Sequence, residues 1–281
     1  MSDFDIDDWI GRSETRHDTV TLAPMGALSA TLDRDDATPR EGDALPPLWH
    51  WLYFLPQHRH SELGPDGHAK LGGFLPPVPL PRRMWAGGRL SFHQPLRAGD
   101  AIERVSRIAN ISSKQGQSGE LVFVTVQHEI RNAHGLAVEE EHDIVYREAP
   151  APGAPTPPPQ AAPGGGAFSR RITPDPVLLF RYSALTFNGH RIHYDRSYVT
   201  EVEGYPGLIV HGPLIATLLL DLLRRERPHA RVTRFAFKAL RPIFDLHAFS
   251  VHGQPEGEHG VQLWARDHEG FLAMTATAEL A

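Results

Sequence analysis

Arg181-Tyr182-Ser183-Ala184-Leu185-Thr186-Phe187-Asn188-Gly189-His190-Arg191-Ile192-His193-Tyr194-Asp195, followed by Ile209-Val210-His211-Gly212-Pro213-Leu214, is the part of this chain on which its reading turns. The first run is rich in amide and imidazole groups. The second opens an apolar helix with His-Gly at its mouth, and Pro213 sits where the first helical turn has no use for its N–H. A general base and unpaired backbone N–H groups can thereby be set around one small acyl group. Asn188-Gly189 is a strong turn pair, and Asp195, ahead of Arg196-Ser197-Tyr198-Val199, reads first as an N-cap. His190 stands three residues before His193, but no carboxylate or third histidine has a ligating spacing, so no metal is expected.

Working outward, the strongest boundary is Ala149-Pro150-Ala151-Pro152-Gly153-Ala154-Pro155-Thr156-Pro157-Pro158-Pro159, with Pro163-Gly164-Gly165-Gly166 behind it. Such a run forms neither helix nor sheet and is expected to be extended and solvated. It divides the chain into residues 1–149, a linker at 150–167, and residues 168–281. The two parts read as distant copies. Arg89-Leu90-Ser91-Phe92 leads to Asp100, and Arg234-Phe235-Ala236-Phe237 leads to Asp245, with the same spacing from phenylalanine to aspartate. Alternating runs follow, Leu121–Val126 and Val261–Ala265, and each ends at a turn signal, Asn132-Ala133-His134-Gly135 or Asp267-His268-Glu269-Gly270. Upstream lie two apolar helix candidates, Leu48–Leu55 and Leu214–Leu223. One helix followed by an antiparallel meander, twice over, predicts an α+β repeat. Residues 56–83 lack periodicity and are expected to form a flap near an acyl pocket, with a disordered insertion as the alternative. Its His58, His60 and His68 read as exposed loop histidines rather than zinc ligands.

Composition excludes several classes. A net charge of −6 opposes a life on nucleic acid or anionic membrane. The absence of cysteine removes thiolate nucleophiles, disulfides and Cys-ligated zinc. The acidic start Met1-Ser2-Asp3-Phe4-Asp5-Ile6-Asp7-Asp8 does not read as a signal peptide. The longest apolar run, Leu214–Leu223, is about half the ~20 residues that cross a bilayer and contains Asp221. A cytoplasmic protein is expected.

The quoted motif resembles that of the MaoC-like (R)-specific enoyl-CoA hydratases and 3-hydroxyacyl dehydratases, which are hotdog folds. In that family an aspartate and a histidine five residues later share the proton transfers, and amides at the start of the central helix polarise the thioester. The family's histidine falls on His193 and its aspartate on Asn188, while the Asn-Pro between them is replaced by His190-Arg191. Asparagine has no proton to exchange at neutral pH, so Asn188 can only orient water or thioester. The run Tyr182 to Asp195 is similar in particular to the mitochondrial-type 3-hydroxyacyl-thioester dehydratases and to the mesaconyl-C4-CoA (3-methylfumaryl-CoA) and itaconyl-CoA hydratases, where asparagine is usual here. Pro81-Arg82-Arg83-Met84-Trp85-Ala86-Gly87-Gly88-Arg89 and Phe92-His93-Gln94-Pro95-Leu96-Arg97-Ala98-Gly99-Asp100 are similar to that branch's N-terminal domain.

The resemblance implies a double hotdog, with a non-catalytic first half and a catalytic second half. It implies a hydro-lyase that hydrates mesaconyl-C4-CoA or itaconyl-CoA to citramalyl-CoA, with His193 as acid and base and His211-Gly212 at the thioester oxygen. The alternatives are a fatty-acid 3-hydroxyacyl-thioester dehydratase, a thioesterase, and a non-catalytic acyl-CoA-binding subunit. Arg181, Arg82 and Arg83 are candidates for the phosphates or carboxylate of the substrate. No cofactor is expected beyond the CoA carried by the substrate, and two chains could pair as a homodimer.

Overall fold

In the computed structural model, residues 8–116, 119–148 and 158–281 are described. The first half contributes β1 (Ser13–Thr19), β2 (Arg82–Phe92), β3 (Ala101–Gly116), β4 (Gly119–Asn132) and β5 (Gly135–Arg147); the second contributes β6 (Phe168–Ile172), β7 (Val232–Ala239), β8 (Phe249–Glu256), β9 (Gly260–Arg266) and β10 (Leu272–Leu280). All ten join one antiparallel sheet in the order β1-β3-β4-β5-β2-β7-β10-β9-β8-β6, which is the same order read from either edge. The halves meet where β2 pairs with β7. There Arg89 lies opposite Ala236, Leu90 opposite Phe235, and Ser91 opposite Arg234. The sequence repeat equates Arg89-Leu90-Ser91 with Arg234-Phe235-Ala236, so this register places a pseudo-twofold axis at the Leu90–Phe235 pair. Two equivalent segments that cross antiparallel about their shared midpoint are what such an axis requires.

The predicted turns sit between β4 and β5 and between β9 and β10, with Gly135 and Gly270 at φ of 111° and 92°, where a side chain would be strained. Each half also opens with an edge strand, β1 or β6, which the helix-first reading did not include.

The helices break the symmetry. In the second half α2 (Pro176–Thr186) precedes α3 (Gly212–Glu226). The apolar run Leu214–Leu223 is buried throughout along α3 and packs against β8–β10. Asp221, its one charged residue, is 4% exposed. Its Oδ1 accepts from Arg34 at 2.6 Å and its Oδ2 from Arg170 and Arg225 at 2.9 and 2.8 Å. Among the described residues of the first half there is no equivalent of α3. Leu48–Leu55, expected to be helical, makes only a 3₁₀ turn at Trp49–Leu52, bounded by left-handed Leu48 and Phe54 (φ 70° and 56°). Eight residues with two such reversals cannot carry a helix through the sheet's concave face. The helix the first half does have, α1 (Leu22–Thr31), lies elsewhere and packs on α2.

The flap is ordered in its described course. Val78 and Leu80 are buried against Ile108, Val122, Val124 and Ile144. Residue 149 and residues 150–157 of the expected linker lie outside the described residues. Beyond them the chain is not simply solvated: Ala161 bridges Phe271, and Gln160 O accepts from Leu272 N at 2.8 Å, tying the linker's end to β10.

Candidate active site

The concave face left without a helix is the wall of a cavity of about 2,220 Å³ that continues to the start of α3. His128, Glu140, His142 and Ile144 line its first-half end; Asn188, His193 and Gly212 line the other.

The second end is built by capping interactions. α2 closes with Phe187 in the left-handed region (φ 50°), and the Asn188 N–H returns to Ser183 O at 2.8 Å, a Schellman-type end. Asn188 Oδ1 then accepts from His190 N at 3.0 Å, so the expected Asn-Gly turn forms and the amide of the side chain remains for another partner. A 3₁₀ turn, Arg191–His193, carries His193 inward to 8% exposure. Its Nδ1–H donates to Ile209 O at 2.7 Å. A carbonyl can only accept, so the neutral ring must have its lone pair at Nε2. Burial is the main force on this imidazole and lowers it to about 4; the Ile209 bond opposes that and His68 adds to it. His193 is therefore an unprotonated base at neutral pH.

His211 stacks on His193 with ring centroids 3.7 Å apart, and Ser183 Oγ lies 2.8 Å from His211 Nε2. It is completely buried, and burial followed by the neighbouring His193 and His190 keeps it well below its ordinary value. His211 thus supports the ring of His193 from behind. Gly212 begins α3 without any side-chain cap. A Cβ at Gly212 would meet nothing within 4 Å, so steric crowding does not account for the glycine. The uncapped N–H groups and positive end of a 15-residue helix open onto the cavity there.

The arginines separate. Arg181 is exposed on α2 and does not line the cavity, because the helix turns Leu179, Tyr182 and Ser183 inward and leaves position 181 outward. Arg82 lines the cavity but is occupied: it donates to Tyr205 Oη at 2.9 Å and Glu203 O at 3.0 Å. Arg83 also lines the cavity, and among the described residues no acid pairs with it. Asp195 caps the following turn, accepting from Tyr198 N at 3.0 Å and from Arg191, as its position predicted.

Two groups were not legible beforehand. Asp66 and His68 of the flap meet His190, their donor atoms within 4.8 Å of one another. This corrects the expectation that His190 has no suitable companions and that His68 is a bare loop histidine; His58 and His60 do remain exposed. The second is a buried polar set in the first half. Glu140 accepts from His50 Nε2 at 2.9 Å and from Trp51 at 3.1 Å. Burial alone would raise this carboxyl, but the bond and charge of His50 outweigh it and hold it at about 2. Alternation of polar residues along β4 and β5 is its one sequence signal, and the same alternation normally marks a solvent face.

The fold is a double hotdog, and with a buried histidine facing an uncapped central helix it is of the hydratase and dehydratase class. The chain belongs to the hydroxyacyl-thioester dehydratase type 2 family, whose model matches residues 48–245. It is 49% identical to the mesaconyl-C(4)-CoA hydratase of Chloroflexus aurantiacus over 100% of this chain and 99% of that protein. It is 29% identical to the mitochondrial hydroxyacyl-thioester dehydratase type 2 of Schizosaccharomyces pombe over 81% of this chain and 85% of that one. Among solved structures, the MaoC-like dehydratase of Phytophthora capsici superposes with a TM-score of 0.72 at 15% identity, covering 99% of this chain and 98% of that one. Among the described residues no helix is long and apolar enough to cross a membrane.

Proposed function

We propose that this chain reversibly hydrates a short, branched, dicarboxylic enoyl-CoA, of which mesaconyl-C4-CoA is the type, to a 3-hydroxyacyl-CoA such as citramalyl-CoA. The observation that carries the proposal is the neutral, Nε2-free His193 in one cavity with the uncapped first turn of α3. Water held by the Asn188 amide gives a proton to His193 Nε2 as its oxygen bonds to Cβ. The π pair moves onto the thioester oxygen, where Gly212 N–H and the helix end stabilise the charge. Cα then takes a proton, and the enolate pair forms the new C–H bond. The first half carries no equivalent of the Asn188–His193 pair and shapes the acyl end, giving one site per chain.

The acyl wall supports a small polar substrate. A fatty chain entering the first half would lie against the part-exposed polar side chains of Arg104 and His142 and shut them off from water without offering a partner, a cost of about 1–3 kcal/mol per group. Arg83, free of an acid, suits the substrate's own carboxylate. The second reading, dehydration of fatty 3-hydroxyacyl thioesters, draws on the family and on the cavity's size.

The test compares mesaconyl-C4-CoA with crotonyl-CoA by loss of the enoyl-thioester absorbance, for wild type and Arg83→Gln. A preference for the diacid, with its KM raised at least tenfold in the variant while crotonyl-CoA is unaffected, is expected. That ratio matches the lower end of a charged hydrogen bond's contribution. Faster turnover of long-chain enoyl thioesters would move the assignment to fatty-acyl dehydration.

A further inference from the structure

We propose that Asp66 and His68 of the flap form a second acid–base pair of the active site, and that His68 Nε2 delivers the proton to Cα. This rests on the hydration reading above. That reaction needs two proton transfers, and the residue at position 188, an asparagine, can perform neither.

The flap is fastened to the catalytic loop at several points. Arg191 N donates to Asp66 O at 2.9 Å and Arg191 Nη1 to Pro65 O at 3.0 Å. Gly67 packs so closely on Gly189 that a Cβ at position 67 would overlap the Gly189 carbonyl oxygen, and its φ of +89° excludes other residues as well. The aspartate and histidine either side of Gly67 are consequently set with respect to His190 and His193 by backbone contacts and not by chance of rotamer. Asp66 Oδ2 accepts from His68 Nδ1 at 2.8 Å, and Oδ1 accepts from the His68 backbone N–H at 3.1 Å. The carboxylate fixes the ring and directs Nε2 away from itself. The His68 ring then lies 3.9 Å from that of His190, which lies 5.5 Å from His193. All three line the cavity.

The two ends of this row differ in kind. His193 leans on a neutral carbonyl, which sets a tautomer and favours the imidazolium too weakly to offset burial. His68 leans on a carboxylate, which stabilises the charged ring. Burial would raise Asp66, yet its hydrogen bond to His68 and that ring's charge keep it below the carboxylate range, so the pair is ionised on the aspartate side. Burial is the largest influence on His68 and lowers it, Asp66 opposes this in part, and the charge of Arg83 lowers it further. The net direction is downward, so the free enzyme holds the ring neutral with Nε2 unprotonated. A substrate carboxylate on Arg83 cancels that last effect, so arrival of the diacid favours the protonated ring.

The proton balance is closed. With the diacid bound, His68 takes one proton at Nε2 from solvent and gives it to Cα as the enolate pair forms the C–H bond. The proton that His193 took from water is released to solvent, so one water is consumed and each histidine ends as it began.

The test uses the full chain with His68→Gln and Asp66→Asn, both of similar volume, assayed in the dehydration direction with citramalyl-CoA carrying hydrogen or deuterium at Cα. For His68→Gln we expect kcat to fall about 10²-fold, the scale of a lost general acid or base, with KM within about threefold. The deuterium effect on kcat should rise, because Cα–H cleavage becomes limiting. Asp66→Asn should fall between the two, with the same isotope trend. His193→Gln should lose activity without that rise. A His68→Gln enzyme that folds with an unchanged melting temperature and retains kcat within about threefold, or loses it with no change in isotope effect, would overturn the assignment. So would activity removed by a chelator and restored by Zn²⁺, which would make Asp66, His68 and His190 ligands instead. A wild type inactive on every enoyl-CoA would sink the hydration reading itself, a separate result.

Discussion

Replacing His193 with glutamine tests both the base and its environment. Glutamine retains an N–H for the Ile209 carbonyl, which now receives Nδ1–H at 2.7 Å, and nearly retains the volume, but it has no titratable nitrogen. Loss of a positioned general base lowers kcat by roughly 10²–10⁴-fold, or about 3–5 kcal/mol of barrier. KM should change little, since His193 binds water rather than the acyl group. A second consequence follows from linkage. The folded-state imidazole titrates at about 4, below its ordinary 6.5, so on acidification the unfolded chain takes up the proton first. Stability tied to His193 is thus full above about pH 6.5 and is lost as pH falls toward 4. Between about pH 8 and about pH 5 that loss amounts to about 2 kcal/mol. The glutamine variant has nothing to protonate and should be spared it. Urea unfolding of both proteins at the two pH values, beside hydratase kinetics at neutral pH, measures each part. If the variant keeps kcat within about threefold, His193 is not the base. If both proteins lose equal stability on acidification, the ring is not held neutral in the fold.

Two further outcomes are expected. Gly212→Ala should leave the melting temperature unchanged or slightly higher, since a Cβ there meets nothing within 4 Å and alanine favours a helix, yet it should lower kcat by about tenfold by intruding where the thioester oxygen approaches the amides; unaltered kinetics would remove the oxyanion role. Asp221→Asn leaves Arg34, Arg170 and Arg225 around a neutral group, and breaking a buried ionic cluster from one side should cost about 3–5 kcal/mol in chemical denaturation; a loss under about 1 kcal/mol would show that these arginines are satisfied by water.

Much of the second-half end of the candidate site was legible because it is local. Asn188, His190 and His193 fall within six residues, and the caps that hold them use adjacent chemistry: a turn pair, a helix end, an N-cap aspartate. The internal repeat was readable for a similar reason, since period-two strands and glycine turns write their pattern into short windows. Which segments of the two copies meet was not readable from the repeat; the structure puts the junction at the equivalent residues Leu90 and Phe235. The helix α3 was evident from its unbroken apolar run, and its start from His-Gly-Pro.

Tertiary structure decided what depends on distant partners. Apolar residues around Trp49 imitate a helix, and only the left-handed Leu48 and Phe54 and the buried His50–Glu140 contact show that this stretch is not one and that no helix crosses the described part of the first half's concave face. From that absence comes the cavity. Arg82 and Arg83 are neighbours of one type, yet one is spent on Glu203 and Tyr205 while the other has no acid partner among the described residues, a difference set by a loop about 120 residues away. Arg181 sits beside the motif but on the wrong side of α2. His68 reaches His190 through a flap whose sequence has no period, because its course is set by docking and not by propensity. Local order is encoded in neighbouring residues, whereas which side chains share a cavity follows from how the chain closes on itself, and that is where the physics of this site resides.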